Sequence, residues 1–180
     1  MLQEAGSRRR WELELEGIDD MAGKKKRWDV GSVFLVPLKD KTECVGQVIG
    51  REKSVLNSVA IALFDLKGNW SSSQKIPPLR AEDIFSTVLA TKDLLDSGRW
   101  VALDKEAIRI TDNMKPYESL RDGGFIGARV HGSGVVEEFA NAFYGLTAWD
   151  DWYIPDFLDG MLISPDKKPI ERLSFSGRHG

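Results

Sequence analysis

Residues 43–66 read ECVGQVIGREKSVLNSVAIALFDL. The first eight alternate between apolar and other residues, the period of a strand with one face toward a core. Gly46 interrupts them, and a glycine inside a strand marks a bulge or a close approach by a neighbour. Residues 58–66, SVAIALFDL, are almost continuously apolar. A strand of that kind is buried on both faces, so it belongs in the middle of a sheet. Upstream, SVFLVPL at 32–38 is an apolar strand stopped by Pro37 and the turn-prone Lys39-Asp40-Lys41. The short connections predict an antiparallel meander.

Working outward, WSSSQKIPPL (70–79) reads as loop. DIFSTVLATKDLLDSGRW (83–100) begins strand-like and turns polar, with Gly98 as a turn or helix stop. Residues 100–104 and 107–110 read as short strands, 112–124 as a loop, and FIGARVHGSG as strand into turn. The clearest helix is 134–145, GVVEEFANAFYG, where Val135, Phe139 and Phe143 recur every four residues beside Val136 and Ala140. Ser133 is the candidate N-cap, Glu137 and Glu138 are placed in the first turn, and Gly145 suits the C′ position. Residues 154–164 predict a second short helix from Pro155, and the tail from Arg172 on is expected to fray. The expected fold is α+β: a strongly curved antiparallel sheet or partial barrel over about 28–131, with the C-terminal helix packed on it.

Length and composition suit a globular domain. The chain has 180 residues, 42% hydrophobic and 29% charged. Its single cysteine, Cys44, permits no internal disulfide and fits a reducing, cytoplasmic location. No apolar run nears the ~18 residues that span a bilayer, so no membrane association is expected. Arg8, Arg9 and Arg10 have no apolar stretch behind them and do not open a secretory signal. Residues 1–20 are charge-dense and apolar-poor, and the style of the chain changes at Met21. The expected organisation is a disordered extension over 1–20, with Met21 as a candidate start, and one domain over 21–180.

Catalytic constellations are sparse. His131 has no second histidine, cysteine or acid at metal-ligand spacing, and His179 lies at the end of the chain. Gly132-Ser133-Gly134 lacks the lysine of a phosphate loop, and Glu137 and Glu138 would repel a phosphate at that helix. No cofactor or metal is expected. What stands out is WDDWYIPDFLDG, residues 149–160, where four aspartates sit among Trp149, Trp152, Tyr153 and Phe157. From Gly132 to Ser164 the chain carries six acids and no Lys or Arg, against a total net charge of −3. A one-signed region attracts cationic partners, and exposed Trp and Tyr make binding hot spots. The candidate partner-binding residues are therefore Glu137, Glu138, Trp149, Asp150, Asp151, Trp152, Tyr153, Asp156 and Asp159. The competing reading makes the tryptophans core anchors and the acids an ordinary solvated turn. Two other classes compete. One is a small-barrel nucleic-acid module using the basic run Lys24–Arg27, against which the acidic C-terminal region argues. The other is a hydrolase using a pair of these carboxylates.

The order of features over 28–50, WDVGSVFLVPLKDKTECVGQVIG, resembles the opening of the immunity protein 26 family of bacterial polymorphic toxin systems. The matching residues are Gly31, Pro37, Leu38, Gly46 and Gln47. SGRW at 97–100 is similar to that family's mid-domain Gly-x-Trp region, and the stretch from Gly132 on resembles the ending of one branch. The likeness covers roughly 27–170. It implies a cytosolic antidote that binds a cognate toxin and blocks it by occlusion, with no catalysis, no cofactor and no nucleic-acid binding. Joined to the acidic segment, it implies a basic toxin of the nuclease kind, since proteins that hold phosphates are basic.

Overall fold

The computed structural model describes residues 27–72, 75–111 and 117–177. The expected extension over 1–20 and most of the basic run at 24–27 lie outside these residues. Six strands form one sheet: β1 (Ser32–Pro37), β2 (Glu43–Glu52), β3 (Ser58–Gly68), β4 (Ile84–Ala90), β5 (Val101–Lys105) and β6 (Val130–His131). Their spatial order is β5-β1-β2-β3-β4-β6. All neighbours are antiparallel except β4 and β6, which are parallel. The fold is α+β, as the sequence predicts. The sheet is mixed and open, however, and β5 and β6 end it without pairing to each other. The partial barrel therefore does not form, because both faces of the sheet are covered by other parts of the chain and closure has no apolar face left to bury.

That double cover explains the apolar run in β3. Val59, Ile61 and Leu63 face one core with Phe34, Phe85 and the helix residues Val136, Phe139 and Phe143. Ala60, Ala62 and Phe64 face the other core with Val45, Ile84, Leu79 and Tyr117. The second face is roofed largely by loop, through Trp70, Ile76, Ile110 and Phe125. Within it, buried Gln47 donates from Nε2 to the carbonyls of Gly31 and Glu106, 3.3 and 2.9 Å away. This pins residues 106–107 to the sheet. Residues 107–110 do not form the strand expected from the sequence; 107–109 are exposed and only Ile110 packs on this core.

Besides four 3-10 turns, the described elements include three α-helices: α1 (Asp93–Asp96), α2 (Tyr117–Asp122) and α3 (Ser133–Phe143). α2 occupies part of the stretch read as loop, and Tyr117 anchors it by donating to Glu52. α3 begins one residue earlier than expected. Gly132 is its N-cap, and the Ser133 hydroxyl instead donates to Asp93 Oδ1 at 2.7 Å. Glu137 and Glu138 consequently fall in the second turn, beyond the exposed N–H groups of the first.

The exit of α3 matches the sequence reading. Leu146 N–H donates to Asn141 O and Gly145 N–H to Ala142 O, at 2.9 and 3.0 Å, the paired bonds of a Schellman stop. Gly145 has φ +71°, and a Cβ there would collide with the Arg172 carbonyl. Gly145→Ala is expected to destabilise the protein by at least about 2 kcal/mol, from the left-handed φ and the backbone clash together. Urea unfolding checks it, and a loss under about 0.5 kcal/mol would mean that residues 170–172 do not press on this turn.

Two more expectations change. Residues 155–162 form turns and one 3-10 turn (Asp159–Met161), not an α-helix, because Trp149 and Leu158 are both drawn fully into the core within a short span. The tail is also tied down as far as Ser176. Ala148 bridges Ser174, and Trp149 N–H donates to Ser174 O at 2.8 Å.

Candidate partner-binding surface

The helix α3 buries Val136, Phe139, Ala140 and Phe143, and that sets the direction of its other face. Phe143 stacks on Phe85 with ring centroids 3.7 Å apart, and Phe139 packs against Trp149. Trp149 is 1% exposed, so it is a core anchor. Its indole N–H donates to Asp159 Oδ1 at 3.1 Å, and the same oxygen takes Lys168 Nζ at 2.7 Å. One carboxylate thus satisfies a buried indole and holds the tail segment across it.

The other acids divide in the same way. Arg99 grips Glu137 with both ends of its guanidinium, and the Glu137 Oε2 also receives the Trp100 indole N–H at 3.3 Å. Glu138 pairs with Lys39 at 2.9 Å. Asp150 receives the Ser176 N–H and hydroxyl at 2.7 and 2.9 Å. Asp151 and Asp156 are exposed. Between them Trp152 is half-buried, stacked on Phe157 with centroids 5.0 Å apart, and Tyr153 is 95% exposed. The nine residues singled out from the sequence are therefore not one surface. Trp149 is buried and Glu137, Glu138, Asp150 and Asp159 are tied to other parts of the chain, whereas Asp151, Tyr153 and Asp156 are exposed on a turn that also carries half-buried Trp152.

Folding changes the charge of this region. No Lys or Arg lies between residues 132 and 164, yet folding brings Lys39, Arg99 and Lys168 from elsewhere onto three of the six carboxylates. Charge counted along the chain overstates the charge of the folded surface. Those three carboxylates are paired with cations, so the folded region is less anionic than its stretch of sequence.

The remaining titratable groups in this region are structural. Burial pushes the Cys44 thiol up to about 12, and its S–H lies 3.5 Å from Phe64 O. It stays protonated and unreactive. His131 is half-buried, edge-on to Phe157, and burial together with Arg129 lowers its pKa. Among the described residues no group of three or more His, Cys, Asp or Glu is placed to hold a metal ion. No helix among them is long and apolar enough to cross a membrane.

A second feature has no local signature in the sequence. An open cleft of about 1200 Å³ lies at the β5 end of the sheet. Five cations line it, Arg27, Arg51, Lys53, Lys92 and Lys105, against the carboxylates Asp29 and Asp96. They come from four separate stretches, so only Arg27, at the end of the basic run, hinted at it. Asp29 is paired with Lys105 at 2.7 Å and Arg51 at 3.7 Å, and Asp96 accepts the Trp28 indole N–H at 2.8 Å.

The residues that carry the family resemblance turn out to be architectural. Gly31 has φ +91° and starts β1. Gly46 lies under the Phe34 ring, and Gln47 is the clamp on residues 106–107. Trp100 is fully buried and stacks on Phe34 with centroids 5.1 Å apart and planes 6° apart.

Residues 29–125 match the family described as Immunity protein 26. No curated protein and no solved structure matches the chain. The matched stretch runs from β1 through α2. It includes every cleft residue except Arg27 and Trp28, and stops before α3 and the acidic turn. Since it spans more than half of the 180 residues, the chain belongs to the immunity protein 26 family.

Proposed function

We propose that the protein neutralises a cognate toxin by binding and occluding it in the cytoplasm, with no chemistry or cofactor of its own. The observation that carries this reading is the family match over residues 29–125. The geometry adds a place for contact. Tyr153 projects from a turn fixed from below by the buried Trp149 and flanked by exposed Asp151 and Asp156. A rigid aromatic with anionic neighbours binds at low entropic cost, and it suits a cationic partner. A toxin that holds nucleic acid offers such a surface, because it must neutralise phosphates. Glu137, Glu138, Asp150 and Asp159 support this site from behind by fixing the helix, the turn and the tail.

The test is capture of the product of the adjacent toxin-like gene by the full chain, at low and high salt. Tight binding that weakens with salt is expected. Tyr153→Ala combined with Asp156→Lys should raise Kd by about 30-fold or more, the scale of a hot-spot loss. Tight binding that ignores both changes would move the interface elsewhere, and no binding would remove the antidote reading.

A further inference from the structure

The cleft at the sheet end has three properties that belong together. It is cationic on a chain whose net charge is negative. Arg27, Lys53 and Lys92 have no ion-pair partner among the described residues, so they add positive charge to be met from outside. At about 1200 Å³ it exceeds the roughly 300–1000 Å³ that holds a small ligand, which favours a stretch of chain. Val101, Ala102 and Lys105 of β5 form part of its wall. β5 ends the sheet and pairs only with β1 among the described strands, so no described strand lies along its other edge. An open edge is a template for one more strand. Val101 stands 46% exposed on it, an apolar contact for such a strand.

The aromatics decide between a peptide and a nucleic acid. Single-stranded nucleic acid is held by bases stacked on exposed rings. Here Trp28 is 8% exposed, with the Arg51 guanidinium 4.1 Å from its ring centroid, and Trp100 is fully buried. The cleft offers cations and a strand edge but no ring for a base.

We infer that this cleft, with the outer edge of β5 in its wall, takes an extended acidic segment of a protein partner. The partner's identity as the toxin rests on the immunity reading, whereas the chemistry of the cleft does not. Such a segment would place carboxylates against Lys53, Lys92 and Arg27 while its backbone pairs with β5. This contact is distinct from the acidic turn, and a toxin engaging both would need a basic patch and an acidic strand.

The test uses the full chain and an acetylated, amidated heptapeptide alternating glutamate and valine, titrated by calorimetry. Saturable binding is expected, weakening as salt rises. The lysine–valine counterpart should not bind. Lys53→Glu with Lys92→Glu, both at the surface, should weaken binding by about tenfold or more. N-methylation of alternate peptide nitrogens should do the same, because it removes strand pairing without touching the protein. Absence of saturable binding, or binding indifferent to both changes, would overturn the inference. So would tighter binding of octathymidylate, which would make the cleft a nucleic-acid site. Failure here with toxin capture intact removes only this inference, and peptide binding without toxin capture removes only the immunity reading.

Discussion

Trp100→Ala is expected to destabilise the fold by about 3–5 kcal/mol, the range for deleting a fully buried large aromatic. Trp100 is 0% exposed and lies flat on Phe34, so its removal leaves a cavity against a ring that has lost its stacking partner. It also leaves Glu137 without the indole N–H, though Arg99 still satisfies that carboxylate. For a chain of this size each kcal/mol lowers Tm by roughly 2–4 °C, so a fall of about 6–20 °C should be seen in thermal unfolding. Trp100→Phe keeps a ring in the stack and loses only part of the volume and the N–H, so it should fall well short of the alanine variant. A loss under about 1 kcal/mol for Trp100→Ala would mean that β5 is not held to β1 through this pair.

The position of Trp100 also shows what could be read in advance. The strands were legible because apolar runs are a direct consequence of burial, and β3 was placed centrally because both of its faces had to be apolar. The stop of α3 was legible because a left-handed C′ residue strongly favours glycine at 145. What failed was whatever depends on distant chain. Residues 107–110 read like a strand, but the chain entering them is tied at the Glu106 carbonyl by Gln47 and forms none. The tail from Arg172 on reads as loose because nothing in it shows that Ala148 and Asp150 bind it. The acidic surface was overstated for the same reason. Lys39 and Arg99 lie 99 and 38 residues from the carboxylates they meet. The basic cleft was barely legible because four stretches contribute to it and only Arg27 belongs to a basic run. Ion pairing between distant residues leaves no periodic pattern, whereas burial in a regular element does.

Gly46 tests that distinction most sharply, because its role was only half legible. A glycine inside β2 implied a bulge or a close approach. The structure has register shifts on either side of it, between Cys44 and Val45 and between Val48 and Gly50, and the glycine itself pairs in register with Phe34. Its function is the close approach. A Cβ at 46 would meet three atoms of the Phe34 ring, the farthest at 2.9 Å, inside any real contact. The ring cannot yield easily, since Trp100 lies against it. Gly46→Ala is therefore expected to destabilise by about 2–3 kcal/mol, near the top of the usual overpacking range. The partner of the clash identifies the mechanism. In a Trp100→Ala background Phe34 can shift into the vacated space, so Gly46→Ala should then cost less than about 1 kcal/mol more. Residues that share a contact couple in this way, with an interaction energy of about 0.5–3 kcal/mol. Additive losses in urea unfolding of the two single variants and the double would show that Gly46 is needed for backbone freedom in β2. A clearly sub-additive double would show that it is needed as the floor beneath Phe34, and that a side-chain sandwich joins β5, β1 and β2 at the end of the sheet where the basic cleft opens.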